Sequence, residues 1–281
     1  MSILDTIAER TRERIAQERA VTPDEAIIEE ARARATAELA EGPFAFPFEH
    51  ALSQEAPSFI CEVKKASPSK GIIDPVFDYL NIARDYERAG AQAISCLTEP
   101  YYFEGSNAYL KAIAQEVSIP ILRKDFVVDA RMVYEAKTLG ASAVLLICSI
   151  LNDDDLAKYL TLAHELGLSA LVEAHDPDEI ARAQAAGARI IGVNNRDLST
   201  FEVNTENALA LRSLVDEEVL FVSESGIKTP QNVADLARIG ADAVLIGETL
   251  MRSPDKKSML DHLKSALPTS DPRTSPNGDD E

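Results

Sequence analysis

A closed (β/α)8 barrel with an N-terminal helical extension is the fold that the 281-residue sequence predicts, on three observations. The first is a weak internal repeat. Ala89-Gly90-Ala91, Leu139-Gly140-Ala141, Ala186-Gly187-Ala188 and Ile239-Gly240-Ala241 each stand just before an apolar run. Glycine after a helical pattern marks a C-terminal cap, because it takes the left-handed conformation without steric cost. These caps recur about every 50 residues, which leaves room for two βα units of roughly 25–30 residues each. The second observation is that further strand-like runs fall inside each interval. The third is that the runs are continuous in Val, Ile and Leu, the pattern of a parallel sheet covered by helices. Eight βα units in about 200 residues favour closure into a barrel. An open doubly wound sheet would carry G-x-G-x-x-G after its first strand, and none follows here.

Taken in order, residues 1–42 read as helices, with Leu4, Ile7 and Ile15 on broken apolar stripes. Thr22-Pro23-Asp24-Glu25 resembles a capping box with proline at the first helical position. This extension is expected to pack on the barrel bottom or side, with gating of substrate as the alternative. The strands then run FICEVKK (59–65), AISCLTE (93–99), PILRKDF (120–126), AVLLICSI (143–150), SALVEAH (169–175), RIIGVNN (189–195), VLFVSESG (219–226) and AVLIGETL (243–250). Helical segments such as YLNIARDYERAG and NVADLARIG separate them. Residues 1–267 therefore form one domain with its barrel strands within 58–250. The end, LPTSDPRTSPNGDDE, has no apolar periodicity, so 268–281 is expected to be a disordered tail.

Composition limits the function. An apolar content of 46% excludes disorder throughout. The 28 basic and 47 acidic side chains give a net charge of −19, which argues against nucleic acid and anionic membrane surfaces as partners. Cys61, Cys96 and Cys148 lie far apart within apolar runs, and the four histidines are scattered, so neither a disulfide framework nor a metal cluster is expected. No signal-peptide stretch or run of transmembrane length stands out, and a cytoplasmic monomer is expected.

Ionisable residues sit where core strands should be apolar. Glu62 and Lys64 are two apart and so point to the same side. Lys124 ends the third strand, Glu173 lies in the fifth, Asn194 and Arg196 end the sixth, and Glu224 with Ser225 ends the seventh. In a barrel these C-terminal ends converge on one rim, where barrel enzymes work. Arg123 and Asp125, flanking Lys124, are expected to face outward or to form loop ion pairs, and Lys137 to lie on the surface. An acidic chain that gathers Lys64, Lys124 and Arg196 at one mouth suggests a small anionic substrate. A lysine among cations would have a lowered pKa suited to proton donation. Gly226 and Gly247, with the Glu248 loop, stand where loops of this fold cradle phosphate, with plain turns as the alternative, and Ser67 after the first strand would add a hydroxyl donor or form a simple turn.

The stretch FICEVKKASPSKGII resembles indole-3-glycerol phosphate synthases, and ILRKDF, LVEAHD, IGVNNRDL, VSESGI and VLIGETLM continue the resemblance in order over residues 44–255. It implies conversion of 1-(2-carboxyphenylamino)-1-deoxyribulose 5-phosphate, a small phosphosugar, into indole-3-glycerol phosphate, water and carbon dioxide in tryptophan biosynthesis, with no cofactor and no metal. It further implies that Lys124 is the general acid and Glu173 the general base or transition-state stabiliser. Glu62 and Lys64 would orient the substrate carboxylate and handle protons during dehydration. Asn194 and Arg196 would hold the carboxylate or position neighbours, Glu224 would bind substrate, and Ser225 would lie near the reacting portion. Ser67, Gly226, Gly247 and the backbone N–H of Glu248 would bind phosphate. A phosphosugar isomerase such as phosphoribosylanthranilate isomerase would not need two strand-end lysines and two glutamates. A barrel that only binds a phosphorylated ligand would not need Lys124 and Glu173.

Overall fold

The computed structural model describes residues 3–54, 57–197 and 202–267, and the expected tail at 268–281 lies outside them. Eight parallel strands close into a barrel: β1 (Ser58–Val63), β2 (Ala93–Leu97), β3 (Ile121–Lys124), β4 (Ala143–Ile147), β5 (Ser169–Ala174), β6 (Ile190–Asn194), β7 (Leu220–Glu224) and β8 (Ala243–Ile246). Each pairs with its sequence neighbours, and β8 closes on β1 with Cys61 opposite Ile246. Every strand falls within the run read from the sequence, except that β1 begins one residue earlier, at Ser58. Helices α4 (Tyr79–Arg88), α6 (Ala130–Leu139), α8 (Pro177–Ala185) and α10 (Pro230–Arg238) lead into the even strands. Gly90, Gly140, Gly187 and Gly240 follow them at φ of 80°, 88°, 85° and 75°, as the cap pattern predicts.

Strand alternation makes two apolar layers. Ile60, Leu122, Leu171, Ile190, Val222 and Leu245 point inward and fill the barrel. Phe59, Cys61, Ile94, Val144, Val172 and Phe221 point outward under the helices. Burial pushes the thiols of Cys61, Cys96 and Cys148 up to about 12, so they are inert at neutral pH.

The two helices of the extension part company, and a third short helix follows them. Helix α2 (Asp24–Glu41) packs along α6 on the barrel side, burying Ala31 and Ala35. Helix α3 (Pro47–Leu52) stops the barrel bottom: Phe48 and Leu52 are buried against the inner layer, and Glu49 meets Arg189, just ahead of β6, at 2.9 Å. Helix α1 (Ile3–Val21) does not follow that expectation. Its Ile3, Leu4 and Ile7 line the cavity at the opposite, C-terminal end.

Three further expectations are corrected. Helix α2 starts at Asp24 with Pro23 as its cap and no side-chain cap bond: the Thr22 N–H is taken by the Glu18 carbonyl of α1, while the Thr22 carbonyl and Asp24 accept from the Arg131 guanidinium. Among the described residues, a capping box is formed instead at Thr229 and Asn232, opening α10. Lys137 is buried, its ammonium 2.6 Å from Glu38 on α2, so it is a structural residue rather than a surface one. Arg123, in β3, and Asp125, in the bend just after it, are ion-paired as expected but are fully buried in the wall. Arg123 donates to the Met132 carbonyl at 2.8 Å and to Glu135 at 2.6 Å. Asp125 accepts from Thr98 at 2.7 Å and from Arg14 of α1 at 3.0 Å. Buried charges persist only when paired in this way.

Candidate active site

The inward register that fills the barrel with Ile60, Leu122, Leu171, Ile190, Val222 and Leu245 continues upward, two residues on, into Glu62, Lys124, Glu173, Gly192, Glu224 and Gly247. The same alternation that builds the core therefore builds the floor of the site. Above it opens a cavity of about 510 Å³, lined by every residue that the sequence analysis placed there: Glu62, Lys64, Ser67, Lys124, Glu173, Asn194, Arg196, Glu224, Ser225, Gly226, Gly247 and Glu248.

Lys124 is the centre of the floor. Its Nζ lies 2.9 Å from Glu173 Oε2 and 2.6 Å from Glu224 Oε2. The expectation of a lysine among cations is therefore overturned: burial opposes the ammonium, but Glu173, Glu224 and Glu62 outweigh it and hold Lys124 above its ordinary range. Lys64 is close to its partner Glu62 and forms a separate ion pair. The two glutamates beside Lys124 differ. Burial alone would push Glu173 up, yet Lys124 and His175 hold it well below the usual carboxylate range. Burial dominates at Glu224, with Lys124 only partly offsetting it and Glu173 adding repulsion, so it is pushed up to about 7. Three carboxylates face two ammonium groups here, and a proton on Glu224 brings the floor to neutrality before an anion arrives.

The neighbours fix these groups. Asn194 Nδ2 donates to Glu173 Oε1 at 3.2 Å, and its Oδ1 accepts from the Arg196 N–H at 3.0 Å. Ser225 has φ of 68°, a left-handed conformation that costs a non-glycine residue about 1–3 kcal/mol. Asn195 offsets part of this by donating to the Ser225 carbonyl and to Ser223 Oγ, each at 3.1 Å.

The glycines also make room for the protein's own side chains. A Cβ on Gly247 would collide with Glu62 Oε1 and stand 2.9 Å from Lys64 Nζ. One on Gly226 would stand 2.5 Å from Val203 Cγ1. Side chains at either position would crowd the protein's own groups before reaching a ligand. Gly192, which the sequence analysis did not single out, makes room in the same way for Glu224 Oε1.

Other residues were also missed. Leu4, Ile7, Phe103, Phe126 and Leu145 form an apolar wall on the β2–β4 side. Lys70, Lys228 and Arg252 line the cavity among the loops after β1, β7 and β8. Lys70 and Lys228 follow Ser67 and Gly226 within three residues, and that adjacency was a usable signal. Nothing local marks the apolar wall, because it is assembled from distant segments. Thr249 Oγ1 donates to the Ile227 carbonyl at 2.8 Å and ties the two expected phosphate loops together.

Residues 4–263 match the family described as indole-3-glycerol phosphate synthase. The chain belongs to the indole-3-glycerol phosphate synthase family. It is 49% identical over 272 residues to the indole-3-glycerol phosphate synthase of Lachnoclostridium phytofermentans, covering 94% of this chain and 100% of that protein. It is 51% identical over 264 residues to that of Ruminiclostridium cellulolyticum, covering 94% and 99%. Among solved structures, 3-hexulose-6-phosphate synthase from Salmonella typhimurium is similar with a TM-score of 0.60 at 15% identity, covering 75% of this chain and 98% of that one, a likeness of fold. The activity is that of the family, a lyase reaction of tryptophan biosynthesis that forms indole-3-glycerol phosphate from 1-(2-carboxyphenylamino)-1-deoxyribulose 5-phosphate with ring closure, decarboxylation and dehydration. Among the described residues, no helix is long and apolar enough to cross a membrane.

Proposed function

We propose that Lys124 drives ring closure from between its two glutamates, and that the substrate lies across the cavity with its phosphate at the β7–β8 loops and its aromatic ring on the β2–β4 wall. The observation that carries this reading is the single ammonium held 2.9 Å and 2.6 Å from two buried carboxylates at the cavity floor. Ser67, Gly226, Gly247 and the Glu248 backbone N–H, with Lys70, Lys228 and Arg252 nearby, suit a phosphate. Leu4, Ile7, Phe103 and Phe126 suit an aromatic ring. In that pose the reacting carbonyl lies over Lys124.

As the aromatic carbon attacks the carbonyl carbon, charge grows on the carbonyl oxygen. A strongly basic lysine gives up its proton only to a strong base, and a forming alkoxide is one. Until then its positive charge stabilises the same atom in a site largely closed to water. Lost carbon dioxide returns its electrons to the iminium formed by ring closure and restores the aromatic ring. Dehydration then needs a proton on the departing hydroxyl and removal of one from the neighbouring carbon. Glu224, protonated near neutral pH, and the Glu62–Lys64 pair can supply the first; Glu173, kept ionised, can take the second. Asn194 and Arg196 position Glu173 and the substrate carboxylate, and Ser225 sits beside the reacting portion. These assignments need one chain only, in keeping with a monomer, and we place the enzyme in the cytoplasm.

Purified protein given the carboxyphenylamino substrate should form indole-3-glycerol phosphate, followed by its absorbance and fluorescence, with no added cofactor. Glu173→Gln should lose most of this rate while remaining folded. Unchanged turnover in that variant would remove Glu173 from the scheme.

A further inference from the structure

We propose that His175, held by Glu179, decides which of the two glutamates flanking Lys124 keeps a proton. Lys124 sits almost symmetrically between Glu173 and Glu224, so the lysine alone does not choose between them. The choice lies one step further out. On the Glu173 side, His175 Nε2, shut away from solvent, stands 3.4 Å from Glu173 Oε1. Its Nδ1 stands 3.0 Å from Glu179 Oε2, and Glu179 also accepts the His175 backbone N–H at 2.8 Å. The result is a chain of alternating charge, Glu179–His175–Glu173–Lys124–Glu224, running from α8 to β7.

Nothing matches it at the other end. Glu224 Oε1 has no hydrogen-bond partner among the described residues and faces the bare backbone of Gly192. A cation on one side only holds Glu173 as carboxylate and leaves the shared proton to Glu224. Glu173 and Glu179 hold the imidazole itself charged, up to about 10, against the cost of burial. The other groups facing this chain do not reverse the bias. Asn194 donates to Glu173 and also favours its ionised form, while Glu62 adds negative charge and favours a protonated Glu224. Asp176 caps α8 through the Glu179 N–H at 2.9 Å.

His175 is not among the residues lining the cavity, so it acts through Glu173 as a positioning residue. The inference rests on the reading of Lys124 and its glutamates given above, and Lys124→Met tests that reading separately. His175→Gln keeps a donor of similar length and removes the charge. Losing an opposite charge at this distance raises a carboxylate by about 1–3 pKa units. The acid limb of the kcat–pH profile should move up by that amount, so the loss of kcat grows toward low pH, while KM stays within about twofold. Glu179→Gln should shift the limb in the same direction by less.

Infrared spectroscopy supplies an arm independent of turnover. In the parent protein the protonated-carboxyl band that titrates near neutrality should vanish in Glu224→Gln and persist in Glu173→Gln with its titration moved to lower pH. In the His175→Gln background, Glu173→Gln should remove part of it. A band belonging to Glu173 in the parent protein, or an unmoved pH profile in folded His175→Gln, would overturn the proposal. A rate loss equal at all pH values would do so as well, since that is the signature of misplacement without a change of proton. Turnover surviving in Lys124→Met would instead defeat the reading beneath it.

Discussion

Replacing Lys124 by methionine keeps an unbranched apolar stem of similar bulk and removes both the proton and the charge. No second ammonium can take over, because Lys64 is committed to Glu62. Loss of a general acid costs about 10²–10⁴-fold, and loss of charge stabilisation in a water-poor site a further 10²–10³. Together these amount to roughly 5–10 kcal/mol of barrier at 1.36 kcal/mol per tenfold, which would put turnover at or below detection. The structure adds a consequence for stability. Without the ammonium, Glu173 and Glu224 face each other buried, and breaking a buried pair costs up to about 3–5 kcal/mol. Low pH relieves this, since a protonated carboxyl carries no charge to repel its neighbour. The loss of melting temperature should therefore be larger at pH 8 than at pH 5. The assay is indole formation, read by absorbance and fluorescence beside a melting curve at each pH. Lys111→Met, exposed on α5 (Asn107–Glu116), is the control and should match the parent protein. Turnover within tenfold of the parent in a folded Lys124→Met protein would refute the role given to this residue.

Gly247→Ala should lower kcat as well as weaken substrate binding, each by tenfold or more, because the new methyl group displaces Glu62 before it meets phosphate; a change in KM alone would favour a simple phosphate cradle. Asp125→Asn leaves Arg14 and Arg123 buried without their shared carboxylate, and chemical denaturation should show a loss of about 3–5 kcal/mol. Truncation after Leu267 should leave both melting temperature and activity unchanged, and a drop of more than a few degrees would show that the last residues contribute to the fold.

Much of this was legible because local rules and global fold agree. Each cap glycine ends a helix that could not continue, and each Val/Ile/Leu run is too apolar to stand anywhere but in a covered strand. The cavity residues were legible for the converse reason. Lys124 and Glu173 break apolar runs where a charge is costly, and a costly charge marks a site. Lys137 misled because charge in a helix ordinarily means solvent; only the packing of α2 against α6 buries it. Arg123 and Asp125 were read one layer too far out, since alternation gives the direction of a side chain but not what covers it.

The sequence by itself determined the eight strands, the glycine caps before the even strands and the residues that line the cavity, all of which follow from residue type and a period of two along each strand. The tertiary structure alone decided the electrostatics. Lys124 is surrounded by carboxylates rather than cations because residues 49 and 100 positions away close around it. The place of α1 over the mouth, the room that Gly192 leaves for Glu224 and the unequal standing of the two glutamates were decided in the same way. Each depends on distances between segments far apart in the chain, and a charge responds to what is near it in space.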